Sequence, residues 1–224
     1  MFRGMDNKSM AYDTSTAIFS PQGDIIQLEY ARKAAEKGAT ALGIRGTDFA
    51  ILAGIRKETE LIEAPIKIHN IDAHIAATAA GLQADTSAIV RRARLQAQIH
   101  RLTYDDEITT STLATQIGEF LANYTLVGGL RPFGTALLLG GTPNTQAELY
   151  LVDPGGAIFK CKAIAIGQGA NDVNTLLKEA QEKALSRQDA CELAKEALQP
   201  NIVDAEQETI EVNIIDATGI TKVE

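Results

Sequence analysis

The sequence predicts an α+β protein built as a four-layer αββα sandwich, in which two antiparallel sheets face each other and helix pairs flank them. The first observation is the order of predicted elements: a helix, strands, two helices, strands, two helices and a last strand. This order lacks the regular strand–helix alternation of a parallel sheet. The second observation is two hairpin turns, at Gly46-Thr47-Asp48 and Asp153-Pro154-Gly155-Gly156, which indicate antiparallel neighbours.

The first predicted helix covers residues 24–37 and follows a tight turn at Ser20-Pro21-Gln22-Gly23. Asp24 and Gln27 form a capping-box pattern at its start. Gly38 is a typical helix stop signal. The helix therefore precedes the first core strand directly.

The remaining elements follow from hydrophobic periodicity and turn signals. The predicted strands are 39–44, 49–55, a short piece at 66–68, 74–80, 135–139, 148–153, 157–166 and 209–214. The predicted helices are 85–101, 111–124, 172–184 and 186–198. Because no repeat or linker interrupts this series, residues 20–224 are predicted to form one domain, preceded by a mobile segment, 1–19.

Composition narrows the possible partners. The 224 residues carry a net charge of −8, which disfavours nucleic acid and anionic membranes. No apolar run approaches the roughly 20 residues that span a bilayer, and the N-terminus lacks the apolar core of a signal peptide. Cys161 and Cys191 fit neither a zinc site nor a disulfide framework, so we expect a cytoplasmic protein.

Motifs for cofactors or metals are lacking in the sequence. His69, His74 and His100 do not have metal-ligand spacing, and no serine-nucleophile elbow or phosphate-binding loop is present. We therefore expect no metal and no cofactor. The basic cluster Arg91-Arg92-Ala93-Arg94 is interpreted as a solvated or subunit-facing stripe on a helix.

Several motifs, in this order along the chain, resemble those of proteasome α-type subunits, in particular archaeal ones. They are Tyr12-Asp13, Phe19-Ser20-Pro21-x-Gly23, Gln27-x-Glu29-Tyr30-Ala31-Arg32, Lys37-Gly38-x-Thr40-x-x-Gly43, Ile66-Lys67-Ile68, Gly81-Leu82-x-Ala84-Asp85, Gly128-Gly129-x-Arg131-Pro132-x-Gly134, Asp153-Pro154-x-Gly156 and Ala165-Ile166-Gly167-x-Gly169. The resemblance runs from residue 11 to about residue 215. It implies the αββα fold of the N-terminal-nucleophile hydrolases.

The sequence departs from the family pattern at three places. Thr14 stands where a basic residue usually follows Tyr-Asp, and Gly54-Ile55 occupies a stretch that commonly carries a carboxylate. The connection over residues 57–65 is also unusual.

The resemblance leaves three functions to weigh: a non-catalytic ring subunit, a self-processing hydrolase, and a stand-alone homo-oligomeric relative that binds partners without a chamber. The hydrolase needs a free N-terminal threonine whose amine activates its own hydroxyl. The catalytic relatives expose that threonine directly after a glycine, but here Ala39 follows Gly38 and has no hydroxyl. Thr40 is one residue further and is expected to face the other side of the strand. The resemblance therefore favours a non-catalytic α-ring subunit.

By resemblance, such a protein joins a seven-membered ring of identical or related α subunits, stacked on β-type subunits that degrade unfolded proteins. The ring contacts are expected at the exposed part of helix residues 91–100 and at residues 20–32. Tyr12, Asp13, Pro21 and Tyr30 would hold the N-terminal tails that gate the entrance. Lys67, Gly38 and Leu82 would bind the C-terminal tails of regulatory ATPases, with Lys67 facing the terminal carboxylate.

Overall fold

The computed structural model describes residues 19–61, 63, 65–143, 146–180 and 185–223. Within these ranges the chain forms two five-stranded antiparallel sheets. The strands are β1 (Ala41–Arg45), β2 (Phe49–Lys57), β3 (Ile68–Asp72), β4 (Ile75–Gly81), β5 (Thr135–Gly141), β6 (Glu148–Val152), β7 (Ile158–Lys160), β8 (Ala163–Ile166), β9 (Glu208–Asp216) and β10 (Gly219–Val223). The first sheet has the order β10-β9-β2-β1-β8, and the second has the order β3-β4-β5-β6-β7.

The helices are α1 (Ile26–Glu36), α2 (Gln83–Tyr104), α3 (Thr110–Leu126), α4 (Ala170–Ala180) and α5 (Arg187–Leu198). One apolar cluster joins α2 and α3 to the outer face of the second sheet. Another joins α4 and α5 to the outer face of the first sheet. A third lies between the sheets. The predicted four-layer sandwich is therefore confirmed.

Successive side chains of a central strand point alternately to the helices and to the opposite sheet. In β2, Ile51 and Ala53 point to the helices, whereas Ala50 and Leu52 point to the opposite sheet. In β5, Leu137 and Leu138 divide between the two faces in the same way. A strand covered on both faces needs apolar residues at every position, and this explains its continuous apolar run.

The start of α1 differs from the prediction. The helix begins after Ile25, and no side chain caps its first turn. Asp24 instead belongs to the preceding turn, in which its amide donates to the Ser20 hydroxyl at 3.2 Å and its carbonyl accepts from the Ser20 amide at 2.8 Å. The serine therefore closes the turn, and the predicted capping box of Asp24 and Gln27 is wrong.

The predicted strand 157–166 is two strands in different sheets. β7 pairs with β6, and β8 pairs with β1. Between them the Cys161 amide donates to Leu149 of the second sheet, and the Lys162 carbonyl accepts from Arg45 of the first. The chain thus crosses from one sheet to the other within two residues.

Other boundaries shift by a few residues, and one strand was missed. The first core strand begins at Ala41 rather than residue 39, and the short extended piece at 66–68 is the approach to β3. β10 was not predicted. Its turn is stabilised by Asp216, whose carboxylate accepts from the amide and the hydroxyl of Thr218 at 2.8 and 2.6 Å. By contrast, the capping box of Ser186 and Asp189 at α5 is confirmed.

Candidate functional site

Helix α1 covers one end of the space between the two sheets. Its buried Ala35 packs in the same cluster as Ala80, Ala136 and Ile166, which come from both sheets. Arg32 fixes the helix from outside, because its guanidinium donates to Glu29 at 2.7 Å and to Asp153 at 2.8 Å. The bond to Asp153 is the main reason that the pKa of Arg32 is raised.

Gly38 links α1 to the second sheet by direct backbone contact. A β-carbon built on Gly38 would overlap the backbone nitrogen of Gly81 and would lie 2.7 Å from the carbonyl carbon of Ala80. Only glycine leaves this space free. The Gly38 carbonyl also accepts from the Gln168 amide at 2.8 Å. The residue before Ala39 is therefore held by β4 on one side and by the β8–α4 turn on the other.

Thr40 is buried and its hydroxyl is already engaged. The hydroxyl donates to the Gln168 carbonyl at 2.6 Å, and the Asn201 amide approaches it at 3.4 Å. Its backbone carbonyl accepts from Ile55 at 3.0 Å. Among the residues that the structure describes, the partners of this hydroxyl are a backbone carbonyl and an amide, and neither is a basic group.

Lys67 reaches the backbone beside Ala39. Its ammonium donates to the Ala39 carbonyl at 2.8 Å and to the Ala79 carbonyl at 2.7 Å. Its own backbone is held by Thr78, whose hydroxyl donates to the Lys67 carbonyl at 3.0 Å, and by a long contact of 3.4 Å from the Lys67 amide to Glu211. Burial lowers the pKa of Lys67 to about 8.

A small cleft of about 140 Å³ surrounds this lysine. Its walls include Arg56 and Lys57 from β2, His69 from β3 and Gly81 from β4. The pKa of His69 is lowered, mainly by burial and further by the positive charges of Arg94 and Lys67. The cleft is therefore rich in basic groups.

Leu82 follows Gly81 at the rim of this region. Its amide donates to the Gly134 carbonyl at 3.0 Å, and its carbonyl accepts from the Thr135 hydroxyl at 3.1 Å. The backbone is thus fixed while 46% of the residue stays exposed. Gly81 touches Gly38 and lines the Lys67 cleft, so the structure brings the three predicted docking residues into one neighbourhood.

An ion pair that sequence reasoning did not identify supports Leu82. Asp85 is buried at the start of α2 and accepts two hydrogen bonds from Arg131, at 2.7 and 2.8 Å, and one from the Gly134 amide at 2.8 Å. The Arg131 guanidinium is the main cause that lowers the pKa of Asp85. Both residues stand in motifs quoted above, but no local pattern indicates that they pair across 46 positions.

Two of the four predicted gate residues lie in the described residues. Pro21 is exposed in the turn that Ser20 and Gly23 close, where the Gly23 amide donates to the Ser20 carbonyl at 2.9 Å. Tyr30 is 47% exposed on α1, with the Lys33 ammonium 6.0 Å from its ring centre. Tyr12 and Asp13 lie outside the described residues.

The described ranges contain neither a metal cluster nor a membrane span. No group of three or more His, Cys, Asp or Glu side chains there is arranged to hold a metal ion. No helix in the described part of the chain combines the length and apolar character needed to cross a membrane.

Comparison with known proteins gives consistent matches along the chain. Residues 35–215 match the family model for the proteasome subunit, and residues 12–34 match the model for the N-terminal signature of A-type proteasome subunits. The proteasome alpha subunit of Archaeoglobus fulgidus is 43% identical over 96% of this chain and 86% of its own length. That of Methanocaldococcus jannaschii is 42% identical over 92% and 80%, and that of Methanopyrus kandleri is 38% identical over 96% and 89%. The chain therefore belongs to the proteasome subunit family and carries the N-terminal signature of its A-type members.

Proposed function

We propose that this chain is a non-catalytic α-ring subunit of the proteasome core particle, forming the gated entrance to its proteolytic chamber. The observation that carries the proposal is Ala39, which lies directly after Gly38 and two residues before the first strand. An N-terminal threonine hydrolase needs a hydroxyl and a free amine at this position. Alanine supplies no hydroxyl, and α1 precedes it in the intact chain.

The surroundings of Ala39 support the same conclusion. The hydroxyl of the next residue, Thr40, is buried and donates to the Gln168 carbonyl. Lys67 has its ammonium on two backbone carbonyls rather than on a nucleophile. The alternative, a self-processing threonine hydrolase, is therefore not favoured by the geometry.

As partners we propose identical or related α subunits in a seven-membered ring and β-type subunits stacked on it. A closed ring of identical subunits needs two different, complementary surfaces on each subunit. Exposed apolar side chains on α2, among them Leu95 and Ile99, and the exposed residues of the 20–32 segment are available for such contacts. Residues of the basic cluster are partly engaged, because Arg94 donates to the Asn70 carbonyl at 2.8 Å.

The proposed gate consists of Tyr12, Asp13, Pro21 and Tyr30, which would hold the N-terminal tails of neighbouring subunits in the open state. The rigid turn of Pro21 and the exposed ring of Tyr30 support this role. In core particles assembled with β-type subunits, Tyr30→Ala should lower ATPase-stimulated peptide hydrolysis. Glu36→Ala, at another exposed residue of the same helix, is the control and should leave it unchanged.

The proposed docking site for regulatory ATPase tails consists of Lys67, Gly38 and Leu82. A tail that ends in a hydrophobic residue, tyrosine and any residue would place its carboxylate on the Lys67 ammonium. Leu82 would supply apolar contact. Lys67→Ala should abolish ATPase-stimulated hydrolysis, whereas Lys57→Ala, at a more exposed lysine of the same cleft, should not.

The non-catalytic role is tested by intact-mass analysis and peptide hydrolysis of the purified chain. We expect no cleavage between Gly38 and Ala39 and no hydrolysis by the chain alone. Co-expression with a β-type partner should give ring-shaped particles that degrade unfolded proteins. The absence of a metal requirement and a cytoplasmic location are further parts of the proposal, and the two free cysteines are compatible with a reducing compartment.

A further inference from the structure

The amine of Lys67 has no acidic counter-ion among the residues that the structure describes. Its two hydrogen-bond acceptors are the carbonyls of Ala39 and Ala79, at 2.8 and 2.7 Å. The carboxylate of Glu211 contacts the backbone amide of Lys67 and the guanidinium of Arg56, each at 3.4 Å, and not the Lys67 ammonium. A half-buried ammonium without a carboxylate is disfavoured relative to the neutral amine.

The two carbonyls match the hydrogen-bonding capacity of a neutral amine. A neutral ε-amine has two N–H donors and one lone pair, whereas the ammonium has three donors. Ala39 and Ala79 accept two hydrogen bonds, so the neutral form loses none of its donors. Its lone pair is then not used in a hydrogen bond to either carbonyl, and the carbamate nitrogen that forms keeps one N–H for one of them.

Gly54 lies beside the Lys67 side chain and supplies no carboxylate to it. A β-carbon built at Gly54 would lie 2.7 Å from Cγ and 2.8 Å from Cε of Lys67. The lysine side chain therefore lies directly against the backbone of β2, in space that any larger residue would share. An acidic residue at position 54 would place a carboxylate beside the lysine, whereas glycine leaves the amine without one.

From this geometry we propose that the Lys67 amine is a modification site for carbon dioxide, which it binds covalently as a carbamate. The nitrogen lone pair attacks the carbon of CO₂, one C–O π bond opens onto oxygen, and the nitrogen releases one proton to solvent. The balance is R–NH₂ + CO₂ → R–NH–COO⁻ + H⁺, with no oxidant or further reactant. CO₂ is small enough for a cleft of about 140 Å³.

The positive groups around the cleft are already in contact with carboxylates. Arg56 and Lys57 of β2 each face a glutamate of β9, Arg56 with Glu211 at 3.4 Å and Lys57 with Glu208 at 4.0 Å. His69 lines the wall on β3, and because its pKa is lowered it is uncharged at pH 8. Helix α2 contributes two uncharged polar side chains, Gln83 and Thr86. A carbamate on Lys67 would therefore share these two cations with Glu211 and Glu208.

The test uses the full-length chain and ¹³C-labelled bicarbonate at pH 8. Alkylation of the carbamate oxygen traps the adduct, and peptide mass spectrometry then locates it. At this pH a lysine with a pKa of about 8 is half neutral, whereas an ordinary lysine is neutral in only about one molecule in 250. We therefore expect at least about tenfold more adduct on Lys67 than on Lys57.

Two matched substitutions test whether the missing counter-ion makes the Lys67 amine reactive. Gly54→Ala and Gly54→Asp both place a β-carbon against Lys67, but only the aspartate adds a counter-ion. Gly54→Asp should lower the adduct at least about tenfold below Gly54→Ala, and Lys67→Arg should remove it. An equal loss in the two Gly54 variants would overturn the counter-ion explanation. Absence of the adduct in the wild-type chain, or equal adduct on Lys57, would overturn the proposal.

A carbamate would also replace the positive charge that the proposed docking of a tail carboxylate requires. That consequence rests on the proposed function, whereas the adduct itself does not. Because the labelling is measured on the chain alone, its failure leaves the docking role unaffected. Conversely, an adduct on Lys67 together with unaltered ATPase stimulation in Lys67→Ala would refute docking and keep the modification site.

Discussion

Replacing Gly38 by alanine tests how tightly α1 is joined to the second sheet. The new methyl group would overlap the Gly81 nitrogen and lie 2.7 Å from the Ala80 carbonyl carbon. Carbon atoms in ordinary contact are about 3.5–4.0 Å apart, so a displacement of about 1 Å is needed. All of these obstacles are backbone atoms, and Gly81 itself is paired with Thr135 and has a φ of 133°. The strand therefore has little freedom to withdraw.

The expected loss follows from this clash. Overpacking in a closed interior costs about 1–3 kcal/mol, and rigid backbone on the far side places Gly38→Ala at the upper end. The smaller entropy of the unfolded alanine chain offsets about 0.4–1 kcal/mol. We expect a net loss of about 2–3 kcal/mol in the free energy of unfolding. For a chain of this length the melting temperature should fall by about 4–12 °C.

Urea denaturation at constant protein concentration measures the effect, with two other glycines as controls. At Gly43 the new β-carbon would meet the flexible end of Leu149 at 2.6 Å, so a smaller loss of about 1 kcal/mol is expected. At Gly128 no atom lies within 4 Å and φ is not positive, so alanine should be neutral or slightly stabilising. If Gly38→Ala matches Gly128→Ala, the proposed backbone contact does not constrain the fold.

The remaining predictions concern three charged residues, Asp85, Lys67 and Arg32. Asp85→Ala should lose about 1–3 kcal/mol of stability at pH 7, mainly because it leaves the buried Gly134 amide without its acceptor. The pair with Arg131 contributes less, because the Arg131 side chain is 60% exposed. Because the pKa of Asp85 is lowered in the folded chain, its stabilising contribution to folding should be present above about pH 4 and be lost as pH falls through the folded pKa. Acid denaturation of the wild type and of Asp85→Ala measures this difference. The pKa of Lys67 is about 8 in the folded chain and about 10.4 in the unfolded chain, so between these pH values the unfolded chain binds more protons than the folded chain. The free energy of unfolding should therefore rise with pH in this range, and Lys67→Met should remove that rise. Binding of a carboxylate-ended peptide should weaken above about pH 8, and a flat profile would contradict docking on the ammonium. Arg32→Ala should lower the free energy of unfolding by only about 0.5–1 kcal/mol, because the guanidinium is partly exposed. Amide hydrogen exchange in α1 should nevertheless become faster. Unchanged exchange would mean that the ion pair with Asp153 does not hold the helix.

The layers of the fold could be predicted because their signals are local. The continuous apolar runs of β2 and β5 and the capping box at Ser186 and Asp189 can be identified within a few residues of sequence. The division of residues 157–166 could not be predicted, because it depends on which sheet each half meets. The start of α1 was mispredicted because the Ser20 hydroxyl occupies the Asp24 amide in a competing turn.

In the candidate site, too, residues in sequence motifs could be predicted, whereas contacts between residues far apart in the sequence could not. Ala39 and the motif residues Gly38, Lys67 and Leu82 can be identified directly in the sequence. The burial of the Lys67 amine, its two carbonyl acceptors and its contact with Gly54 depend on strands that meet only in the folded chain. The pairing of Asp85 with Arg131 likewise required the structure.

Intact-mass analysis combined with peptide hydrolysis tests the central claim most directly. The chain is purified alone and after co-expression with a β-type partner. A non-catalytic ring subunit should keep the bond between Gly38 and Ala39 intact in both samples and should hydrolyse peptide only when the β-type partner is present. Cleavage at that bond together with hydrolysis by the chain alone would contradict the assignment.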